Sequence, residues 1–119
     1  MKIYLEKDIK NFDQRYRVNF INSLSGFKSA NLIGTTSSSK QTNLSIISSA
    51  FHLGADPALS GFINRPETKE TRRHTLDNIR ENGHYTINHV HSNIIEQAHH
   101  TSARYPREVS EFSAAKLTE

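Results

Sequence analysis

A run of hydroxyl and amide side chains in the first third of the chain has the chemistry of an anion-binding loop. Residues 35–43 read TTSSSKQTN, in which hydroxyl groups, two amides and the cation Lys40 accompany backbone N–H groups, and no large apolar side chain is present. These groups can donate hydrogen bonds to a phosphate without a glycine-rich P-loop. A solvated turn is the alternative that the composition leaves open.

Two residues outside this loop could contact the same anion. Arg65 lies where a predicted strand ends, and Thr75 lies at the start of a predicted helix. A guanidinium group binds phosphate through paired hydrogen bonds, and a helix N-terminus attracts anions. Lys69, Arg72 and Arg73 form a tight basic group just before that helix, for which a solvated basic surface is the alternative interpretation.

Other kinds of chemistry lack the residues that they need. The chain has no Cys, which excludes disulfides, thiolate nucleophiles and zinc–thiolate sites. His89 and His91 share one face of a predicted strand, and His99 and His100 follow, but no further ligand falls at a suitable spacing, so no metal site is predicted. No glycine-flanked serine of the hydrolase type is present either, so serine catalysis is not expected.

Length and charge narrow the class of protein further. At 119 residues the chain has room for one domain. The net charge is +3, yet the basic residues form no stripe interleaved with aromatic residues, so no nucleic-acid partner is predicted. The apolar stretches are far shorter than the roughly 20 residues of a membrane span, and Glu6 and Asp8 interrupt the start, so we expect a cytoplasmic protein without membrane contact.

The elements that must position these groups follow from the hydrophobic periodicity. Apolar residues recur every three or four positions in the helical segments, and shorter runs bounded by Gly, Pro or polar clusters indicate strands. The pattern predicts an α+β fold in which strands outnumber helices. The predicted helices are 8–24, 74–82 (closed by Gly83) and 93–103 (capped by Ser92), and the predicted strands are 27–35, 43–51, 58–65 and 84–91.

Four blocks of sequence, taken in order, resemble the flavin reductase-like family of FMN-binding split-barrel flavoproteins. They read NSLSGFKSANLIGT, TNLSIISSAFHLGADPALSGFINRP, RHTLDNIRENGHYTINHV and AHHTSARYPREVSEF, and the resemblance covers about residues 16–119. It implies an α+β, mainly β fold, namely an antiparallel Greek-key-like barrel of six or seven strands with flanking helices. Because family members are longer, it also implies that residues 1–119 form one domain that matches the N-terminal part of a family-type domain, with a barrel incomplete at its C-terminal end.

The resemblance also implies a cofactor and a function. Family members form homodimers, bind FMN at the subunit interface and use NADH or NADPH, so the chain is expected to be an FMN-dependent NAD(P)H oxidoreductase that passes electrons to a second acceptor. Hydride transfer through a flavin requires no protein nucleophile, and no catalytic side chain is assigned. A flavin-binding or structural segment without turnover remains the alternative.

By the same resemblance, twelve residues are expected to contact FMN. Small serines would let a flat ring lie against the strand, and a negatively charged phosphate would be held by hydroxyl, amide and guanidinium groups. The residues expected beside the ribityl phosphate are Thr35, Thr36, Ser37, Ser38 and Asn43, with Arg65 and Thr75 also contacting the phosphate; Ser48, Ser49, Ala50 and Phe51 are expected to line the isoalloxazine ring, and His89 to lie near its edge.

Overall fold

The fold combines helices and strands in nearly equal numbers. The computed structural model describes residues 1–68 and 71–119, and within these residues it contains five α-helices and five strands. The elements are α1 (Glu6–Lys10), α2 (Gln14–Ser23), β1 (Asn31–Thr36), β2 (Thr42–Ile47), β3 (Ala50–Ala55), β4 (Ala58–Phe62), α3 (His74–Asn82), β5 (Thr86–His89), a 3₁₀ turn (Ser92–Ile94), α4 (Ile95–His100) and α5 (Glu111–Ala115). The expectations that strands outnumber helices and that the fold is mainly β are therefore wrong.

Two predicted elements are each divided in the structure. The single helix predicted over 8–24 is two helices, because the Asp13 carboxylate accepts hydrogen bonds from the backbone N–H groups of Arg15 and Tyr16 and so starts a new helix. The strand predicted over 43–51 divides into β2 and β3 around Ser48 and Ser49. The helix predicted over 74–82 is confirmed as α3, with Gly83 in the left-handed conformation after its last residue.

A three-stranded antiparallel sheet carries the core on one face. Its order is β2-β1-β5, and Leu32 and Leu44 point to the same side. That side packs against α4 through the fully buried Ala98, and Phe112 of α5 extends the same cluster. The buried carboxylate of Glu111 accepts a hydrogen bond from the Leu44 N–H, which satisfies a donor on the outer edge of β2.

The opposite face of the sheet supports α3. Side chains of Ile33, Thr35 and Asn43 lie on this face and are all buried. Asn78 and Thr75 of α3 hydrogen-bond to Thr35 and Asn43, as described below. The sheet is therefore held between α3 on one side and α4 and α5 on the other.

Strands β3 and β4 form a separate two-stranded antiparallel sheet. The ring of Phe62 in this hairpin meets the ring of Tyr85 edge-on, with centroids 5.2 Å apart. Gly61 lies beneath the Phe51 ring, where an added Cβ would approach Phe51 Cζ to 3.1 Å. Within residues 1–68 and 71–119 the two sheets do not join, so the barrel is not closed.

The N-terminal helices form their own small aromatic cluster. The rings of Tyr4, Phe12, Tyr16 and Phe20 meet with centroids 4.8–6.4 Å apart. In the part of the chain described above, no helix has the length and apolar character needed to cross a membrane.

Candidate functional site

The hydroxyl-rich loop between β1 and β2 is a tight turn stabilised largely by its own groups. The Ser37 N–H donates to the Gln41 carbonyl at 2.9 Å, and the Lys40 N–H donates to the Ser37 carbonyl at 2.9 Å. The Ser37 hydroxyl contacts the Ser39 hydroxyl and accepts a hydrogen bond from the Gln41 N–H. Lys40 adopts a left-handed conformation with φ of 63°. The hydrogen bonds of Ser37 are thus used to build the turn.

Residues in the C-terminal half of α3 form hydrogen bonds with further groups of this loop. The N–H and the hydroxyl of Ser38 both donate to Glu81 Oε2, at 3.1 and 2.9 Å. These two hydrogen bonds hold the pKa of Glu81 below its ordinary value, because they stabilise the charged carboxylate. The Asn82 amide donates to the carbonyl oxygen of Thr36. Helix α3 and the loop therefore form one hydrogen-bonded unit.

Three of the predicted site residues meet in a buried polar cluster. Asn43 Nδ2 donates to Thr75 Oγ1 at 3.0 Å, and Asn78 Nδ2 donates to Thr35 Oγ1 at 3.1 Å. All four residues are less than one-tenth exposed. The fold thus brings Thr35, Asn43 and Thr75 together, but it pairs these side chains with one another or with Asn78.

The beginning of α3 offers uncommitted hydrogen-bond donors. Its N-cap residue, Arg73, makes no side-chain cap, so the N–H groups of His74 and Thr75 have no acceptor among the described residues. Arg73 Nε is buried without a hydrogen-bond partner there, and Arg72 lies 3.7 Å from Glu67 and 3.6 Å from Asp77. Lys69, predicted to join this basic group, lies outside the described residues.

Arg107 joins the last loop of the chain to α3, and sequence reasoning missed it. Its guanidinium lies 3.5 Å from Asp77 Oδ2 and 3.6 Å from Glu81 Oε1, and it donates to Asn78 Oδ1 at 3.4 Å. Nothing in the local sequence distinguishes this arginine, because its partners are about thirty residues away in the chain. A small polar cleft beside it is lined by Ser37, Gln41, Thr42, Asn43, His74, Asn78 and Arg107.

A second group of predicted residues lies where β2 passes into β3. The Ser49 hydroxyl donates to the Ile63 carbonyl at 3.0 Å and accepts from the Ile63 N–H at 3.2 Å, which fixes this corner to the end of β4. Ser48 and the ring of Phe51 are exposed, and Ala50 is half-buried. Arg65 is exposed and follows Ile63 by two residues, so its backbone is within roughly 7 Å of that contact.

The strand register places His89 at the same end of the three-stranded sheet. Asn31 pairs with Ile47 on one side and with His89 on the other. His89 is therefore two strand spacings, roughly 10 Å, from the residue that precedes Ser48. It is exposed, as is the whole of β5.

The twelve predicted residues thus form two groups. The phosphate group surrounds the start of α3 and the β1–β2 loop, and the ring group surrounds the β2–β3 corner, with strand β2 running from Asn43 at one to Ile47 at the other. Arg65 lies with the ring group. Across residues 1–68 and 71–119, His, Asp and Glu nowhere gather in a group of three or more that could hold a metal ion.

Comparisons with known proteins give one family and several solved structures. The sequence profile of the flavin reductase like domain matches residues 24–119. A crystal structure from Shewanella frigidimarina, assigned as a flavin reductase with a split barrel domain, is 54% identical with a TM-score of 0.91 and covers 99% of this chain and 57% of its own. No curated protein matches the sequence.

Two more distant structures share the fold. Nitrilotriacetate monooxygenase component B from Bacillus cereus has 18% identity and a TM-score of 0.80, with 99% of this chain and 58% of that one covered. The 2-nitrobenzoate 2-nitroreductase from Pseudomonas fluorescens has 20% identity and a TM-score of 0.72, with 97% and 52% covered. The chain therefore spans a little over half the length of the solved structures that it matches.

Proposed function

Because the chain belongs to the flavin reductase-like domain family, we propose that it binds FMN as part of an NAD(P)H-dependent oxidoreductase. FMN, when bound, supplies the chemistry: it accepts a hydride from NADH or NADPH and passes the electrons to a second acceptor. The observation that carries the proposal is the start of α3, where the N–H groups of His74 and Thr75 have no acceptor among the described residues, beside the buried Asn43–Thr75 pair. The preceding N–H, that of Arg73, donates to Glu67 Oε1 at 3.0 Å. Residues 1–119 are proposed to act as one domain.

The start of α3 suits the phosphate of FMN better than the centre of the hydroxyl loop does. Free N–H groups at a helix N-terminus hydrogen-bond to an anion, and the helix dipole favours negative charge at that end. Arg73 adds a guanidinium whose Nε has no partner among the described residues. In the loop, by contrast, the donors of Ser38 already serve Glu81. Thr35, Thr36 and Ser37 are proposed to support the residues that line this end of the site.

The β2–β3 corner suits the isoalloxazine ring. The small side chains of Ser48, Ser49 and Ala50 leave a surface against which a flat ring can lie, and the exposed ring of Phe51 offers an aromatic contact. The Ser49–Ile63 hydrogen bonds hold this corner in place without ligand. His89, on the neighbouring strand end, is proposed to lie at the ring edge.

We also propose that the active form is a homodimer. The β3–β4 hairpin beside the ring group exposes four large apolar side chains, and such a surface on a folded protein is usually covered by a partner. Its exposed apolar residues are Phe51, Leu53, Leu59 and Ile63. A second copy would cover this surface and enclose the ring end of the site. The cytoplasmic location and the lack of a nucleic-acid partner stay predictions from the sequence.

Titration with FMN tests the proposal. Arg73→Ala should weaken FMN binding by ~10-fold or more, because a hydrogen bond to a charged group contributes about 1.5–3 kcal/mol. Arg80→Ala is the matched control, since Arg80 is exposed at the other end of the same helix. Fluorescence quenching gives the affinity, and a sizing column gives the oligomeric state of the same sample.

Three results would count against parts of the proposal. A folded wild-type chain that binds no FMN would contradict it entirely. Equal FMN affinity in Arg73→Ala and Arg80→Ala would contradict the placement of the FMN phosphate at the start of α3. FMN binding without NADH or NADPH oxidation would favour the alternative function, a flavin-binding segment without turnover.

A further inference from the structure

The Glu81 carboxylate is bound by the β1–β2 loop in the manner of an oxyanion. The N–H and the hydroxyl of Ser38 converge on the same oxygen, Oε2, at 3.1 and 2.9 Å. The Arg107 guanidinium faces the other oxygen, Oε1, at 3.6 Å. A backbone N–H, a hydroxyl and a guanidinium are together the donor set that proteins use for phosphate.

The position of Glu81 in α3 is unfavourable for its negative charge. Glu81 is in the last turn of α3, where the helix dipole disfavours a negative charge. The donors of Ser38 and Arg107 therefore stabilise a carboxylate that its own helix does not. The Glu81 and Arg107 side chains are each 39% exposed, so an anion from solvent can reach the same donors.

From this geometry we infer that the β1–β2 loop at Ser38 is an oxyanion-binding site that the chain fills with its own Glu81. Its ligand class is the phosphate dianion, either free or as a monoester. While Glu81 is in place, its charge and its occupancy of the Ser38 donors keep such ligands out. Where FMN is the ligand, an extension that rests on the proposed function, Glu81 confines the cofactor phosphate to the start of α3.

The alternative is that Glu81 is a structural brace without any latent site beneath it. A brace would lose loop order when Glu81 is changed, and no anion would bind in its place. A filled site would gain affinity for phosphate, because removal of the carboxylate frees the Ser38 N–H and the Ser38 hydroxyl beside Arg107, which keeps its contacts with Asp77 and Asn78. The brace and the filled site therefore differ in whether phosphate binds to the loop once Glu81 has been changed.

Amide NMR of the full chain with inorganic phosphate as the probe distinguishes them. In Glu81→Ala, which removes the acceptor of both Ser38 donors, the Ser38 amide signal should shift saturably with phosphate, with an apparent affinity ~10-fold or more above that of the wild type. Glu81→Gln removes the charge but keeps an amide oxygen that accepts hydrogen bonds, so its gain in affinity should be smaller. Asp77→Asn is the matched control, because Asp77 also faces Arg107 but makes no contact with Ser38. Its Ser38 amide should behave as in the wild type.

Two results would overturn the inference: a wild-type Ser38 amide that saturates with phosphate as readily as that of Glu81→Ala, or a folded Glu81→Ala variant whose Ser38 amide does not respond. If neither variant folds, saturable phosphate binding by the wild-type Ser38 amide would still contradict exclusion by Glu81. FMN titration of the same samples separates the two proposals. Phosphate binding by Glu81→Ala with no FMN binding by the wild type would leave this inference standing and refute the proposed function.

Discussion

The hydrogen bond between Asn43 and Thr75 should be measurable as a coupling free energy. Both residues are at least nine-tenths buried, and the Nδ2–Oγ1 distance is 3.0 Å. Thr75→Val keeps the shape of the side chain and removes the acceptor, which leaves the Asn43 amide without this partner. A buried polar group left unpaired costs about 1–3 kcal/mol, so this variant should be destabilised by that amount.

Asn43→Leu should cost a similar amount, because it leaves the Thr75 hydroxyl without its donor. The double variant removes both polar partners, so its loss of stability should be smaller than the sum of the two single losses by ~1 kcal/mol. Urea unfolding measures all four proteins. With an m-value of about 1.5 kcal/mol/M, a loss of ~2 kcal/mol lowers the midpoint by roughly 1.3 M, which is easily resolved.

Additive single effects would refute this reasoning. Residues without energetic coupling add to within about 0.3–0.5 kcal/mol, so a double variant that falls inside that range would show that the two side chains do not stabilise each other. A changed m-value would indicate instead that the variant has altered the unfolded or native ensemble. Asn88→Leu is a control, since Asn88 is exposed on β5.

Two further predictions concern the sheet and the loop. Gly34→Ala should destabilise the chain by about 1–3 kcal/mol in urea unfolding, because the new Cβ would lie 2.6 Å from Thr86 Oγ1. Thr86→Ala in the same chain should recover part of this loss. A Gly34→Ala variant as stable as the wild type would contradict the close packing of β1 against β5. The pKa of Glu81 is lowered in the folded state by the Ser38 hydrogen bonds, so its contribution to stability is present above the unfolded value of about 4.5 and is lost as the pH falls through the folded pKa. The unfolding midpoints of the wild type and Glu81→Gln should therefore converge as the pH falls below the folded pKa of Glu81. A difference that does not change with pH would contradict the stabilisation of the Glu81 carboxylate by Ser38.

The parts of the fold that could be predicted are those whose signals are local. Helix α3 follows from its apolar spacing and from Gly83, which adopts the left-handed conformation at the helix end. The family follows from the order of four sequence blocks, which no single block establishes. Helix α3 therefore depends on one short segment, whereas the family depends on the succession of four segments along the chain.

The errors arise where a contact between distant residues, or a competing local one, decides the outcome. Apolar periodicity continues through residues 8–24, but the carboxylate of Asp13 starts a new helix. Strand-like residues continue through 43–51, but the Ser49 hydroxyl bonds to Ile63, fourteen residues later, and the strand divides there. A pattern of hydrophobicity contains neither of these hydrogen bonds.

The hydroxyl loop shows most directly why composition predicted a kind of chemistry but not its partner. Its donors were expected to bind a phosphate, and the donors of Ser38 do bind an anionic group, the carboxylate of Glu81. Glu81 lies forty-three residues away, in a helix whose packing against β1 is set by Asn78 and Thr35. Composition therefore identifies groups able to stabilise negative charge, whereas the fold determines whether that charge comes from a ligand or from the chain itself.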